Sequence, residues 1–159
     1  MVKMIPHRII PESLAGHPVI ELLSEHKLFD IDAPSNIVEI ACERHYIIPK
    51  RFANDPVIVL LDKHGLFNFE AEKNTIYLPI DLMVAKKLGV SPYSSEPLDS
   101  YMNGIGDILK QVRNSPAFAS AQGGDKDAVK QLEQFLSTFQ AKIVEGLKTG
   151  KLFLTHPLA

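Results

Sequence analysis

The feature that most constrains this chain is an internal repeat with an offset of 38 residues, from His7 to His45. Residues 7–41, HRIIPESLAGHPVIELLSEHKLFDIDAPSNIVEIA, reappear as residues 45–79, HYIIPKRFANDPVIVLLDKHGLFNFEAEKNTIYLP. Aligned without a gap as far as the shared Asn, the two copies are identical at fifteen of thirty positions. A repeat of this kind predicts two copies of one supersecondary unit that bury their apolar faces against each other.

Each copy has the pattern of a β–α–β unit. The opening His-X-Ile-Ile-Pro predicts a short buried strand that proline ends, because proline cannot donate to a strand ladder. Asp55 and Pro56 are a helix N-cap and a proline at the first helical position, and the first copy predicts the equivalent helix over residues 18–27. Asn36 and Asn74 open the second apolar strands. A histidine is therefore expected at the start of one strand and an asparagine at the start of the next.

Residues 80–159 predict a mostly helical second half. Capping residues and apolar spacing indicate helices at residues 81–89, 97–113 and 125–148, separated by a linker over residues 114–124. The apolar residues of the last helix form one stripe: Val129, Leu132, Leu136, Phe139, Ile143 and Leu147. The tail after Gly150 is expected to add one edge strand. The prediction is therefore one α+β domain over residues 1–159, with tandem β–α–β repeats followed by helices.

Composition excludes several classes of protein. The only cysteine is Cys42, so neither an internal disulfide nor a Cys-x-x-Cys metal site can form. No apolar run reaches the length of a membrane span, and the opening MVKMIPHRII has no cleavage site of the kind that predicts a signal peptide. A net charge of −2 argues against a broad nucleic-acid surface.

Three positions keep the same polar residue in both copies: His7 and His45, His26 and His64, and Asn36 and Asn74. Imidazole is a common ligand of divalent metals and a general base near neutral pH, so the first pair is a candidate for chemistry as much as for the core. The second pair lies at helix C-termini, where interaction with the helix dipole is the favoured explanation. For the asparagines, hydrogen bonds to local backbone are favoured over catalysis.

The second copy and the residues after it resemble a known family. RHYIIP, GLFNFEAEKNTIYLP and KKLGVSPYSSEPLDSYMNGIGDIL are similar to the AHH nucleases of the HNH/endonuclease VII superfamily. Those domains read Ala-His-His-Ile-(Val/Ile)-Pro, then a helix, an Asn before a strand ending in Leu-Pro, and a histidine-bearing loop that a tyrosine closes. The resemblance covers residues 44–113, and residues 7–41 resemble its first half again. It implies a metal-dependent nuclease, mostly found as a toxin domain of bacterial polymorphic or secretion-delivered systems.

The resemblance implies roles for individual residues. His45 matches the first histidine of the motif, which ligates the metal, and Asn74 matches the asparagine that positions the water-activating histidine. That second histidine is Tyr46 here and Arg8 in the first copy. Tyr101 matches the tyrosine that closes the loop. A tyrosine of ordinary pKa, about 10, is a poor general base at neutral pH, so Tyr46 and Arg8 are predicted to contact phosphate instead.

The later histidines of the family are also replaced, by Tyr93 and the stretch SSEPL that follows it. One histidine and one asparagine cannot hold a catalytic divalent ion, which needs about three protein ligands. A rearranged metal site would have to draw on both copies, with His7 and His45 as ligands and Glu96 or a second asparagine beside them.

The prediction is a nuclease-type toxin or effector domain that hydrolyses phosphodiesters of DNA or RNA with Mg²⁺, Mn²⁺, Ni²⁺ or Zn²⁺. The assigned residues are His45, Asn74 and Tyr46 for catalysis, His45 and His7 for the metal, and Arg8, Tyr93 and Tyr101 for the substrate. The expected partners are nucleic acid and a cognate immunity protein, in the cytoplasm of a bacterial producer or target cell. Two alternatives stay open: a module that binds a protein or nucleic acid without cleavage, and a structural protein whose histidines are core residues.

Overall fold

The computed structural model describes residues 2–10, 19–21 and 37–156, with side chains from residues 2–5 and 40–156. The protein is α+β, as predicted. The strands of the described part are β1 (Val2–Ile10), β2 (Val19–Glu21), β3 (Ile37–Tyr46) and β4 (Thr75–Pro79). Its α-helices are α1 (Pro56–Lys63), α2 (Leu82–Leu88), α3 (Asp99–Arg113), α4 (Pro116–Gln122) and α5 (Lys126–Thr149). None of these helices is both long and apolar enough to cross a membrane.

The strands form one sheet in the order β2-β1-β3-β4. Strand β1 runs antiparallel to β2 on one side and to β3 on the other. In this register His7 lies opposite Val38, and Arg8 lies between Glu21 and Ile37. The backbone positions of the two predicted first-copy site residues are therefore both in the middle of a sheet.

The two copies of the repeat are both extended over residues 37–41 and 75–79 but differ in local structure at residues 19–21 and 57–59. Residues 45–79 contain the last two residues of β3, then α1 and β4, with short 3₁₀ turns at Lys50–Phe52 and Glu72–Asn74. In the first copy, however, residues 19–21 form β2 where the start of a helix was predicted. The edge of β1 offers these residues hydrogen-bond partners, so tertiary pairing overrides the helical pattern. The rest of that predicted helix lies outside the described residues, and the structural duplication is not confirmed.

The histidine of the second copy does not begin a strand. β3 continues without a break from the end of the first copy, so His45 is its penultimate residue. The sequence Ala-Cys-Glu-Arg that precedes it contains no glycine or proline that would interrupt the ladder. The prediction that a strand starts at His45 was therefore wrong. The strand starts at Ile37, and His45 lies where the chain leaves the sheet.

Side-chain caps fix the helix ends largely as predicted. The Asp55 carboxylate accepts the Val57 N–H at 2.9 Å, and α1 follows from Pro56. Asp81 caps α2 in the same way, and Gly89 ends that helix with a left-handed φ of 70°. The predicted helices over 97–113 and 125–148 correspond to α3 and α5.

Two predictions about the second half were wrong. Residues 114–124 are not a linker, since they contain α4: Ser115 accepts the Phe118 N–H at 3.2 Å, and Phe118 and Ala121 are buried. The tail forms no strand over residues 151–156. It is held instead by fully buried Leu154, whose N–H donates to the Ser91 hydroxyl at 2.9 Å.

The chain divides into two compact units. The first comprises Met1–Arg44, Tyr77–Ser95 and Leu147–Ala159, and the second comprises His45–Ile76 and Glu96–Gly146. The core of the second unit is formed by α1, α3, α4 and α5 around the turn that follows β3, with these fully buried apolar residues: Ile47, Ile48, Val57, Ile58, Leu61, Ile105 and Leu109. The motif of the second copy therefore starts at His45, the residue at which the chain enters the second unit.

Candidate functional site

The motif residues of the second copy meet around the turn after β3. Ile47 and Ile48 are fully buried, and the Ile47 N–H donates to the backbone carbonyl of Asn74 at 2.7 Å. Three neighbours surround this pair of isoleucines: His45 before it, Asn74 across from it, and Tyr101 from α3. All of them belong to the second unit, so the site lies within one compact body.

The His45 imidazole is enclosed and hydrogen-bonded. The residue is only 5% exposed, and its Nε2 lies 3.0 Å from the Tyr101 hydroxyl oxygen. The two rings meet edge-to-face with their centroids 5.4 Å apart. Burial lowers the pKa of His45 from 6.5 to about 4 and raises the pKa of Tyr101, so both groups are neutral at physiological pH.

The hydrogen bonds assign the proton of this imidazole. The Tyr101 hydroxyl also lies 2.6 Å from the Ile47 carbonyl oxygen, which can only accept, so the single hydroxyl proton points there. The hydroxyl oxygen must then accept from His45, and Nε2 carries the imidazole proton. The Nε2 atom is therefore a donor in the folded protein, and Nδ1 is the nitrogen without a proton. A metal could be bound only through Nδ1 unless this contact broke.

Asn74 is fully buried, and its side-chain amide makes four hydrogen bonds. Its Oδ1 accepts the Ile48 N–H at 2.9 Å and the Gln140 Nε2–H at 3.0 Å. Its Nδ2 donates to the carbonyl oxygens of Ile48 at 3.2 Å and Phe69 at 3.0 Å. Every donor and acceptor of the amide is therefore used, three of the four bonds to hold the backbone around Ile48 and Phe69 and the fourth to hold Gln140. This arrangement is the local structural role that the sequence favoured for this asparagine.

Tyr46 extends from the strand opposite to His45 in the alternation of side chains and is half-buried. Its hydroxyl donates to both oxygens of the Glu70 carboxylate, at 3.0 and 2.9 Å. Lys50 completes this group, with Nζ 2.7 Å from a Glu70 oxygen and 4.8 Å from the centre of the Tyr46 ring. At the position where the family carries its water-activating histidine, this chain thus has a phenol bound to an acidic residue.

The remaining predicted residues lie elsewhere. Tyr93 belongs to the first unit, where its N–H donates to the Pro79 carbonyl at 2.8 Å and burial raises the pKa of its phenol, with a further contribution from Glu43. The side chains of His7 and Arg8 lie outside the described residues. Val38, the partner of His7 in the register, precedes His45 by seven residues in β3, so the strand pairing does not set the two histidines opposite each other.

The donor set around His45 does not fit a catalytic divalent ion. Its imidazole faces a tyrosine, and the nearby amide of Asn74 is committed to four other groups. Across the described side chains, no group of three or more His, Cys, Asp or Glu residues is arranged to hold a metal. The described residues around His45 therefore lack the ligand set that metal-assisted catalysis at this position would need.

Two residues of this region were missed by the sequence analysis. Gln140 is buried and bonds Asn74, and its Oε1 has no hydrogen-bond partner among the described residues. It lies four residues after Leu136 and seven before Leu147, so the helical spacing of the apolar stripe could have indicated a polar residue facing the core. For Glu70, no signal in the sequence identified Tyr46 as its partner.

Comparison of the chain with protein-family models, with curated proteins and with solved structures gave no match.

Proposed function

We propose that this chain is a catalytically inactive AHH-like module that binds a protein partner and does not cleave nucleic acid. The observation that carries the proposal is the use of His45 and Asn74. Both residues match the nuclease motif, yet both are buried and spend their hydrogen bonds on Tyr101, Ile48, Phe69 and Gln140. A nuclease also needs a general base, and at the position of the motif's water-activating histidine this chain has Tyr46, whose hydroxyl is bound to the Glu70 carboxylate.

Charge pairing in the second unit favours a protein partner over nucleic acid. Three cations of this unit are matched by carboxylates in ion pairs: Lys50 with Glu70, Lys73 with Glu133, and Arg113 with Asp55. Binding to DNA or RNA draws its affinity mainly from unpaired cations that displace counterions from phosphates. Pairing these cations within the protein lowers that contribution. The exposed apolar residues Val59 and Phe135 of the same unit suit a protein surface better.

The proposal is tested by incubating the purified protein with plasmid DNA and with total RNA in Mg²⁺, Mn²⁺, Ni²⁺ or Zn²⁺. We expect no cleavage above that of a buffer control with any of the four metals. Two variants serve as references: His45→Gln, which keeps a donor near Tyr101 but removes the imidazole, and His64→Gln, which removes an exposed one.

Metal-dependent cleavage would overturn the proposal if EDTA and His45→Gln abolished it while His64→Gln retained it. That result would establish the nuclease prediction with His45 as an essential residue. Metal-dependent cleavage that all three proteins share would also contradict the proposed inactivity, and it would show that His45 is not essential for cleavage.

A further inference from the structure

A cleft of about 350 Å³ lies between α1 and the loop that follows it, within the second unit. Its apolar lining includes Ile58 and Val59 of α1 and Phe67 and Phe69 of the loop. The two phenylalanine rings pack edge-to-face with centroids 4.9 Å apart, which holds the loop side of the cleft in place. Val59 is 50% exposed, so part of this apolar lining is open to solvent.

The polar lining of the cleft is unbalanced in charge. Lys50 and Glu70 lie on it as an ion pair with 2.7 Å between Nζ and Oε1, so together they contribute no net charge. Asp62 is the other charged residue of the lining, and no cation pairs with its carboxylate within the part of the chain that the structure describes. The cleft therefore has one uncompensated negative charge beside an apolar floor.

The position of Asp62 makes this charge unfavourable for the helix itself. The residue lies in the last turn of α1, where the partial negative charge of the helix C-terminus repels a carboxylate. Three residues before it on the same face is Val59, which is exposed although it is apolar. Asp62 opposes the helix dipole and Val59 leaves half of its surface exposed, and together they form a surface for a group that is both apolar and cationic.

We propose that this cleft receives an arginine side chain of the protein partner. An arginine has an apolar stem that can cover Val59 and Ile58, and a planar guanidinium that can bind the Asp62 carboxylate with two parallel hydrogen bonds. The same guanidinium can stack on the partly exposed Phe69 ring. Phosphate-bearing ligands are disfavoured because Asp62 would repel them. The inference rests on the proposed function, since it identifies the chemistry of the partner that the module would bind.

The test is a titration followed by ¹H–¹⁵N NMR, with N-acetylarginine amide as the probe and N-acetylcitrulline amide as its uncharged isostere. With the arginine probe we expect saturable chemical-shift changes at Val59, Asp62 and Asn68, with a dissociation constant in the millimolar range. The citrulline probe should bind at least about fivefold more weakly, as expected for the loss of one partly exposed ion pair. N-acetyllysine amide distinguishes a requirement for the planar guanidinium from a requirement for charge alone.

Two matched variants complete the test. Asp62→Asn should lower the affinity for the arginine probe by about fivefold, and Asp107→Asn, a change at an exposed carboxylate of α3 outside the cleft, should leave it unchanged. Asp62→Asn removes a charge that opposes the helix dipole, so its fold is expected to be intact.

Equal shifts with arginine and citrulline, the absence of saturable shifts in the cleft, or unchanged affinity in Asp62→Asn would each overturn the inference. None of these results depends on nuclease activity. Failure of arginine binding with no cleavage therefore leaves the inactive module standing, whereas cleavage with intact arginine binding refutes the proposed function alone.

Discussion

Acidification should destabilise this protein through a single buried imidazole. His45 is enclosed in the second unit and neutral, and its Nε2 proton is donated to Tyr101. Protonating Nδ1 would place a positive charge in a site where the described contacts supply a tyrosine and apolar side chains rather than a carboxylate. In the unfolded chain the same histidine is hydrated and takes up a proton at its ordinary pKa. Acid therefore favours unfolding.

The magnitude follows from the two pKa values of His45, 6.5 in the unfolded chain and about 4 in the folded protein. Because the folded pKa is depressed, the contribution to stability is fully present above about pH 6.5 and is lost as the pH falls towards about 4. Between about pH 7.5 and about pH 4.5, the linkage relation gives a loss of about 2.5 kcal/mol in the free energy of unfolding. This is a large share of the stability of an ordinary domain.

Urea unfolding at about pH 7.5 and about pH 4.5 measures this loss in the wild type, in His45→Gln and in His64→Gln. Carboxylates that titrate in the same window affect all three proteins, so the difference between variants isolates one histidine. We expect His45→Gln to lose about 2.5 kcal/mol less than the wild type on acidification, and His64→Gln to behave like the wild type. If all three lose the same free energy, the imidazole of His45 is not held neutral by burial and the reasoning is refuted.

Two further stability predictions use matched pairs. Asn74→Ala leaves the four hydrogen-bond partners of the amide unpaired and should lower the free energy of unfolding in urea by about 3–5 kcal/mol. Asn68→Ala removes one exposed hydrogen bond to the Glu70 N–H and should lower it by about 1 kcal/mol or less. Equal losses would show that the amide of Asn74 is not needed to hold the turn. Gly65→Ala and Gly150→Ala both place alanine at a φ near +70°, which costs about 1–2 kcal/mol, but only at Gly150 would the new Cβ lie 2.7 Å from a backbone oxygen. Thermal unfolding should therefore show a larger loss for Gly150→Ala, by about 1–3 kcal/mol, and equal losses would contradict the close backbone approach.

The parts of the fold that the sequence predicted well depend on short-range chemistry. Asp81 and Gly89 bound α2 because a carboxylate accepts N–H groups two and three residues later and glycine tolerates a positive φ. The same reasoning should have identified α4, since Ser115 and Pro116 are a cap and a first-turn proline. That helix was missed because its small residues and closing glycines resemble a linker, and burial of Phe118 is a tertiary effect.

The repeat shows the limit of local pattern. Residues 57–59 and residues 19–21 have nearly the same sequence, Val-Ile-Val and Val-Ile-Glu, yet the first is helical and the second is paired with β1. In the second copy, Asp55 caps the helix and Arg113 of α3 binds that aspartate. Both contacts stabilise the helical conformation of residues 57–59. The first copy has Gly-His-Pro in place of Asn-Asp-Pro and so lacks the capping carboxylate. One substitution at a cap is thus a physical reason for near-identical segments to differ.

The sequence identified only part of the candidate site, because local pattern does not reveal partners that are distant along the chain. His45 and Asn74 stood out because both copies keep them, but their partners Tyr101 and Gln140 are 56 and 66 residues away along the chain, and no local pattern links them. Tyr101 was assigned to the substrate, whereas its hydroxyl bonds His45 and the Ile47 carbonyl. Such assignments depend on tertiary contacts, which a motif does not specify.

Persistence of His45 and Asn74 is therefore not evidence that the chemistry of the motif persists. At the end of β3 successive side chains alternate, so His45 faces the core and Tyr46 faces outward. The inward residue holds the turn together with Asn74, and any chain that uses this turn has a reason to keep both. The outward position is the one that could meet a substrate, and there the chain has a phenol bound to Glu70 and covered by Lys50. Of the residues that resemble the nuclease motif, His45 and Asn74 therefore build the turn, whereas the outward position has Tyr46 in place of a histidine.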